Sequence, residues 1–229
     1  MTGTMEWADL NRLIEQDFHH YTQQLYELEA ELQTPIHDSL HWSRRFEYPW
    51  MLMQLKTADL SSVLDAGSGA TAIQFMLARS NVPTTSIDID QSAVEWVNKK
   101  APKKLWAPAP TDGSLLVTEG PKPQAVSMDL NRVTFPDNMF GTSICISVLE
   151  HLPKPEVLPA IRNLVRVSKT NTLITMDVCM NPTPGVIDLP HFNALARALD
   201  ITPKDPPATA LTFEINGNKF AVACLRLTK

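Results

Sequence analysis

The chain has 229 residues, of which 44% are apolar, and a formal net charge of −5. This length suits one α/β domain with an appendage, and the apolar fraction is sufficient for a core. The acidic balance argues against nucleic acid as a partner, since phosphate binding needs a basic surface. The longest apolar runs, such as Ile144 to Leu149, are too short to span a bilayer, so no membrane partner is expected. Three cysteines without CxxC spacing favour reduced core residues and a cytoplasmic location.

The first sixty residues predict helices. Apolar residues recur at steps of three and four from Trp7 to Leu32, which predicts one long amphipathic helix. Packing against the body of the same chain would explain this stripe, and a homodimer seam is the alternative because the spacing is nearly heptad. Pro35 ends the helix, and a second helical stretch follows. We therefore expect residues 1–60 to form a helical lid.

From Ser61 onward, strand-like and helix-like segments alternate. The candidate strands are Val63–Asp65, Thr84–Ile89, Gln124–Met128, Thr142–Ser147 and Thr170–Val178. The candidate helices are Ala70–Ser80, Gln91–Lys100 and Lys154–Val167. Such alternation predicts βαβ units and an α/β fold with a mostly parallel, doubly wound sheet.

The last part of the chain departs from this alternation. After a helix around His191–Leu199, two apolar runs flank an Asn-Gly pair at 216–217, which is a strong hairpin signal. The sheet should therefore end in an antiparallel strand pair. A Pro-rich stretch at 101–123 has no clear period and is predicted to be an irregular insert, remote from the chemistry. Residues 61–229 are thus expected to form one domain.

A short glycine loop follows the first predicted strand. Gly67 and Gly69 precede a helix, where glycines allow a ligand to approach the backbone closely. With Ala72 the spacing also satisfies the dinucleotide pattern GxGxxG/A, so an NAD(P)-dependent oxidoreductase is an alternative. Asp65 stands where a carboxylate could meet the ammonium group of a ligand. Asp88 ends the next strand, about twenty residues after the glycines, where an acid binds ribose hydroxyls.

A third acid, Asp129, ends the following strand and could accept a hydrogen bond from an exocyclic amine such as that of adenine. Acids at three successive strand ends suit a ligand with a cationic amino-acid end, a ribose and an adenine, which is the layout of S-adenosylmethionine. The segments "VLDAGSGAT", "SIDID", "SMDL" and "FPDNMFGTSICISVLEHL" follow in this order. From Ser61 to Val178 the sequence resembles the class I S-adenosylmethionine-dependent methyltransferases, in their small-molecule branch.

The resemblance implies a set of cofactor contacts. The methionine portion would lie against Asp65, Gly67 and Gly69, with the ribose on Asp88. The remaining implied contacts are Ile89, Asp129 and Leu130 around adenine, and Ser147 beside the methionine and the substrate. Asp90 is an alternative ribose ligand, but Asp is also a favoured N-cap, and we interpret it as the cap of the next helix.

The acceptor site has weaker signals. The stretch "HWSRRFEYPW" combines aromatic residues and arginines, which suits a pocket for a ring or an anionic group, and predicts Arg45, Tyr48 and Trp50 as substrate contacts. The alternative places the aromatic residues in the core and pairs the arginines with surface acids. His37 and His41 are spaced i, i+4, but without a third ligand no metal site is expected. The loop "PTPGVIDLPHF" is predicted to form the other pocket wall.

His151 follows the fourth strand of the domain and is the candidate general base for a hydroxyl acceptor, with a structural role at a helix start as the alternative. The same position reads "SVLEHL" and lacks the Asp/Asn-Pro-Pro-aromatic tetrapeptide of nucleic-acid amino-methyltransferases. The sequence therefore predicts methyl transfer from S-adenosylmethionine to a small molecule, such as a sugar, a natural product or another metabolite, on oxygen or nitrogen. The alternatives are the oxidoreductase and a catalytically silent, cofactor-binding partner of another methyltransferase.

Overall fold

The strands of the protein build one mixed sheet, which has helices on both faces. The computed structural model of the protein describes residues 1–32, 43–100 and 122–229. Its strands are β1 (Thr2–Trp7), β2 (Val63–Ala66), β3 (Thr84–Asp88), β4 (Gln124–Ser127), β5 (Phe140–Ile146), β6 (Ser168–Cys179), β7 (Thr212–Ile215) and β8 (Asn218–Thr228). Its helices are α1 (Gln16–Leu32), α2 (Arg44–Leu55), α3 (Ile73–Arg79), α4 (Gln91–Lys100), α5 (Lys154–Val167) and α6 (Leu189–Ala198). Short 3₁₀ helices cover Leu10–Ile14, Leu130–Arg132 and Leu149–His151.

The strand order in the sheet is β1-β8-β6-β5-β2-β3-β4, with β7 also paired to β8. The five strands from β6 to β4 are parallel, whereas β8 is antiparallel to β6 and β7 is antiparallel to β8. The hairpin turn at Asn216 and Gly217 has positive φ at both residues, as a two-residue hairpin loop requires. The predicted fold class, a mostly parallel α/β sheet with a terminal antiparallel pair, is confirmed.

The helix predicted to run from Trp7 is wrong in its first part. Residues Thr2–Trp7 form β1, which pairs antiparallel with β8 from Thr2 opposite Thr228 to Trp7 opposite Ala223. Met5 and Trp7 are buried, whereas the residues between and before them are more exposed, so this segment has the period of two that suits an edge strand. The open edge of β8 supplies its hydrogen bonds, and α1 begins only at Gln16.

Helices α1 to α4 share one face of the sheet, and α5 and α6 cover the other. The apolar stripe of α1 packs on α2 of the same chain, where the rings of Phe18 and Phe46 lie 5.0 Å apart. This packing supports the interpretation that the stripe belongs to the core of its own chain. A homodimer through this helix stays a prediction. Among the described residues 1–32 and 43–60, the start of α2 lines the edge where a lid was expected. A lid formed by residues 1–60 stays a prediction.

Several predictions about the sequence fall on residues 33–42 and 101–121, which lie outside the described residues. They include the histidine pair His37 and His41 and most of the Pro-rich insert. Elsewhere the predicted bounds of α4 and α5 match the structure. Within the described ranges, every helix is too short or too polar to cross a bilayer.

Candidate active site

The carboxyl ends of the parallel strands meet at one edge of the sheet, where two adjoining cavities open. We call them the Tyr48 cavity, about 400 Å³, and the Asp88 cavity, about 380 Å³. Gly67, Ser147 and His151 line both of them, so the two cavities are contiguous. Ligands of open parallel sheets bind at this edge. An elongated ligand could therefore occupy both cavities at once.

The glycine loop between β2 and α3 contributes to the lining of both cavities. Gly67 and Gly69 have φ values of +70° and +55°, which side chains rarely adopt. A Cβ atom on Gly67 would also collide with the side chain of Val148. The amide of Gly69 donates a hydrogen bond of 2.8 Å to Oδ2 of Asp88. The loop is thus held against the end of β3 and keeps its backbone open to a ligand.

Asp65 is the last residue but one of β2 and lines the Tyr48 cavity. Its carboxylate is buried, and its Oδ2 has no hydrogen-bond partner in the part of the chain that the structure describes. Burial, together with the charge of Asp88, raises the pKa of Asp65 to about 7. A buried carboxylate without a partner is costly, and a cationic ligand group would remove that cost.

Asp88 is oriented by backbone groups on both sides. Its Oδ1 accepts from the amide of Asp90 and its Oδ2 from Gly69, each at 2.8 Å. Each carboxylate oxygen keeps a further lone pair for ligand hydroxyls. Asp90 itself accepts from the amide and the hydroxyl of Ser92, at 2.8 and 2.7 Å. The interpretation of Asp90 as the cap of α4 is therefore confirmed.

The walls of the Asp88 cavity combine apolar and acidic groups. Ile89 lines it and is 78% exposed in this structure, so its apolar side chain is available to a ligand. Leu130 lines the opposite part and is buried. Asp129 accepts from the amide of Asn131 at 2.8 Å and so caps the following 3₁₀ helix. This arrangement suits a flat aromatic group with a hydrogen-bonding edge.

Helix α2 is fastened to the strand ends by a buried glutamate. Glu47 is fully buried and accepts from Arg44 at 2.6 Å, from Thr175 at 2.6 Å and from the hydroxyl of Ser147. Ser147 has a φ of +48°, an uncommon value for a residue other than glycine. Sequence reasoning missed Glu47, because a single acid in an aromatic and basic stretch resembles a surface residue.

The three residues predicted to contact the substrate lie in different environments. Tyr48 lines its cavity, and burial raises its pKa to about 12. Arg45 is exposed and lies outside both linings, whereas Arg44 lines the Tyr48 cavity. Residues four apart share one helix face, so Arg44 and Tyr48 point the same way and Arg45 does not. Trp50 is only 1% exposed, packs in the core and donates to Glu6. The structure therefore places Tyr48 at the cavity and Arg45 and Trp50 outside both linings, and the substrate contacts stay predictions.

His151 ends a 3₁₀ helix at the border of the two cavities. Partial burial of the ring, followed by the charge of Arg44, lowers the pKa of His151 below its usual value. The imidazole is therefore neutral near pH 7 and able to accept a proton. This environment is compatible with the predicted base.

Two further acids line the Tyr48 cavity, Glu150 beside His151 and Asp177 on β6. Burial, then the charges of Asp177 and Glu47, raises the pKa of Glu150 well above its usual range. Burial and Glu47 raise the pKa of Asp177 to about 7. Neither acid was singled out from the sequence. The far wall is Ile215 at the hairpin tip, rather than the predicted loop at 182–192.

Residues 64–176 match the family model described as a methyltransferase domain. This segment of the chain carries a methyltransferase domain. The match covers the glycine loop, the three acids and His151, and it agrees with the resemblance to S-adenosylmethionine-dependent enzymes. The oxidoreductase alternative receives no support from it. No curated protein sequence matches the chain.

Solved methyltransferase structures share the fold of this domain. Magnesium protoporphyrin IX methyltransferase from Synechocystis PCC 6803, crystallised with bound SAM, is 15% identical with a TM-score of 0.53, over 92% of this chain and 97% of that chain. An arsenic(III) S-adenosylmethionine methyltransferase from Chlamydomonas reinhardtii is 17% identical with a TM-score of 0.57, over 75% and 65%. A SAM-dependent methyltransferase from Methanosarcina mazei is 16% identical with a TM-score of 0.53, over 78% and 96%. At these identities the likeness concerns the fold.

Proposed function

We propose that this methyltransferase transfers the methyl group of S-adenosylmethionine to an oxygen or nitrogen atom of a small molecule, such as a sugar, a natural product or another metabolite. The observation that carries the proposal is the unpartnered, buried Oδ2 of Asp65 beside the glycine loop. Asp65 lines the Tyr48 cavity, which adjoins the Asp88 cavity. The structural neighbours named for protoporphyrin and arsenic(III) methylation support a small acceptor.

The residues present fit the cofactor. Asp65 would hold the ammonium group, and the backbone of the glycine loop at Gly67 and Gly69 would lie against the methionine portion. Asp88 would accept from the ribose hydroxyls, because its carboxylate is already oriented by two backbone amides. Ile89 would cover one face of the adenine. The side chain of Ile89 is exposed in the free protein and would become buried in this apolar contact. Leu130, Asp129 and Ser147 complete this set.

Bound S-adenosylmethionine supplies an already activated sulfonium methyl, so positioning of the acceptor accounts for much of the rate. The Tyr48 cavity would position the acceptor against Tyr48 and the aliphatic walls. For a hydroxyl acceptor, the neutral imidazole of His151 would take the proton as the new C–O bond forms. A neutral amine needs no base before transfer.

We further propose that the protein works in the cytoplasm and without nucleic acid. The net charge of −5 and the buried positions of Cys145, Cys179 and Cys224 support this. Neither proposal depends on the acceptor.

Calorimetric titration with S-adenosylmethionine, S-adenosylhomocysteine and NAD tests the cofactor assignment. The first two should bind and NAD should not. Asp88→Ala should weaken both adenosyl ligands about 10- to 100-fold, because a hydrogen bond to a charged acceptor contributes about 1.5–3 kcal/mol. Asp90→Ala is the matched control and should change affinity less than about threefold while destabilising α4 by about 1 kcal/mol. Equal losses in both variants, or NAD binding, would contradict the assignment.

A further inference from the structure

The Tyr48 cavity contains more buried carboxyl groups than the ammonium group of the cofactor can pair with. Both carboxylate oxygens of Glu150 and Oδ1 of Asp177 are buried, and none of them makes a hydrogen bond to another described residue. Both side chains line the cavity. Each is distinct from Asp65, whose carboxylate is already assigned to the ammonium group of the cofactor.

The nearby cation forms its ion pair with a different acid. Arg44 is the one lysine or arginine among the described residues that line the Tyr48 cavity. Its Nη1 lies 2.6 Å from the carboxylate of Glu47, which is fully buried. The charge of Arg44 lowers the pKa values of Glu150 and Asp177, but burial and the neighbouring acids keep both values raised, and neither acid has an ion-pair partner among the described residues.

A buried carboxylate without a partner is expensive in free energy, so these groups need either a proton or a cation. Their pKa values are raised, which agrees with protons in the empty cavity. Close to the two acids, Ile73, Ile146 and Ile215 give the cavity aliphatic walls. Such walls suit an organic body attached to the cation better than a hydrated metal ion.

Resting on the methyltransferase function proposed above, we propose that Glu150 and Asp177 bind a cationic group of the methyl acceptor, an ammonium or amidinium carried on an apolar body. The acceptor class is then a small organic amine or amidine. This inference reverses the preference for an anionic group that the arginines in "HWSRRFEYPW" suggested, because Arg45 faces solvent and Arg44 is paired.

The test uses matched probes on the full chain saturated with S-adenosylhomocysteine. One set is 2-phenylethylamine, 2-phenylethanol and phenylacetate, and the other is hexylamine, hexanol and hexanoate. Dissociation constants are measured by ligand-observed NMR or calorimetry. In at least one set the amine should bind ten or more times more tightly than both the alcohol and the carboxylate.

The double variant Glu150→Gln, Asp177→Asn should reduce this preference below threefold and leave the affinity for S-adenosylhomocysteine within threefold. Glu95→Gln on the exposed side of α4 is the control and should keep the full preference. Circular dichroism and thermal unfolding check the fold, and the single variant Asp177→Asn carries the test if the double variant does not fold.

No amine preference in either probe set, or an undiminished preference in the variant, would overturn the inference while leaving the proposed function intact. Failure of S-adenosylhomocysteine to bind the wild-type protein would overturn both.

Discussion

The Asp88 cavity and the Tyr48 cavity share a border but are built in different ways. The Asp88 cavity takes its lining from the ends of β3, β4 and β5 and the turns that follow them. The Tyr48 cavity combines the start of α2, the middle of the sheet and the tip of the terminal hairpin. Asp88 and Asp129 are held by backbone amides, whereas Asp65, Glu150 and Asp177 carry oxygens without partners among the described residues.

The Asp88 cavity is therefore fixed by the fold, whereas the Tyr48 cavity can differ with the elements that are added to the fold. Parallel strands end at the same edge in any sheet of this kind, so the Asp88 cavity follows from the topology. The Tyr48 cavity depends on how the flanking elements dock, and its unpaired acids depend on a ligand for their charge balance. The fold therefore determines the cofactor side, and the appended elements determine the acceptor side.

The largest effect is expected at His151, which belongs to both cavities. His151→Gln should lower kcat about 10²- to 10⁴-fold, because a general base contributes a factor of that size. The pH–rate profile should also lose an ionisation below pH 6.5, since the pKa of this histidine is lowered. Turnover is measured with labelled methyl donor and the acceptor found in a metabolite extract.

The control for this prediction is His19→Gln on the exposed side of α1, which should keep full turnover. A loss of only a few-fold at His151 would identify a nucleophile that needs no base. A large loss of donor binding would instead make His151 a structural residue.

Glu47 joins α2 to the ends of β5 and β6, so its removal should weaken the packing of α2 against the sheet. Glu47→Ala leaves Arg44 without its partner and two hydroxyls without an acceptor, so the free energy of unfolding should fall by about 3–5 kcal/mol. Urea denaturation measures it. Glu31→Ala breaks the more exposed ion pair with Arg79 and should cost at most about 1 kcal/mol. Similar losses in the two variants would show that the buried anchor is unimportant.

Asp65 should make the stability of the cofactor-free protein depend on pH. The pKa of Asp65 is raised from 3.8 to about 7, so its carboxyl stabilises the fold below pH 4, and this contribution is lost as the pH rises to 7. Asp65→Asn should therefore reduce the fall in unfolding free energy between pH 4 and pH 7 by about 2–4 kcal/mol. Urea denaturation across this range, without cofactor, gives both profiles. Parallel profiles would mean that Asp65 finds a partner in the free protein.

The smallest effect is expected at Ile89, a residue of the Asp88 cavity whose side chain is largely exposed in the free protein. Ile89→Ala should weaken S-adenosylhomocysteine about three- to tenfold, since part of the side chain is covered only when the ligand binds. The free energy of unfolding should change by less than about 0.5 kcal/mol because the residue is 78% exposed. Ile14→Ala, at a residue 87% exposed on the first 3₁₀ helix, should alter neither quantity. Calorimetry and urea denaturation distinguish the two sites.

The sheet could be predicted from the sequence because its signals are local. The glycine loop, the acids at strand ends and the Asn-Gly turn each identify an element without knowledge of its neighbours. The first strand could not be predicted, because Trp7 continues the three-and-four spacing of α1 through Leu10 and Ile14. Only pairing with β8, far away in the sequence, selects the strand.

The same limit applies to the site. Asp65, Asp88 and His151 lie where strands end, and the sequence already marks those places. Glu47 and Asp177 meet only after α2 docks on the sheet. The rotation of α2 about its axis decides that Arg44 faces the cavity and Arg45 does not. The composition of "HWSRRFEYPW" does not predict this rotation.

The shared edge of β8 has a consequence for the order in which the chain matures. One half of this strand pairs with β1 and the other half with β7. The two segments therefore do not compete for the same hydrogen-bonding groups, but both need β8 as their partner. During synthesis β1 leaves the ribosome long before β8 exists, and until then its hydrogen-bonding groups and Trp7 have no native partner. Closing such a distant contact is slow and exposes nascent edges to aggregation. We expect the emerging N-terminal segment to be a binding site for chaperones, and its release to mark completion of the sheet.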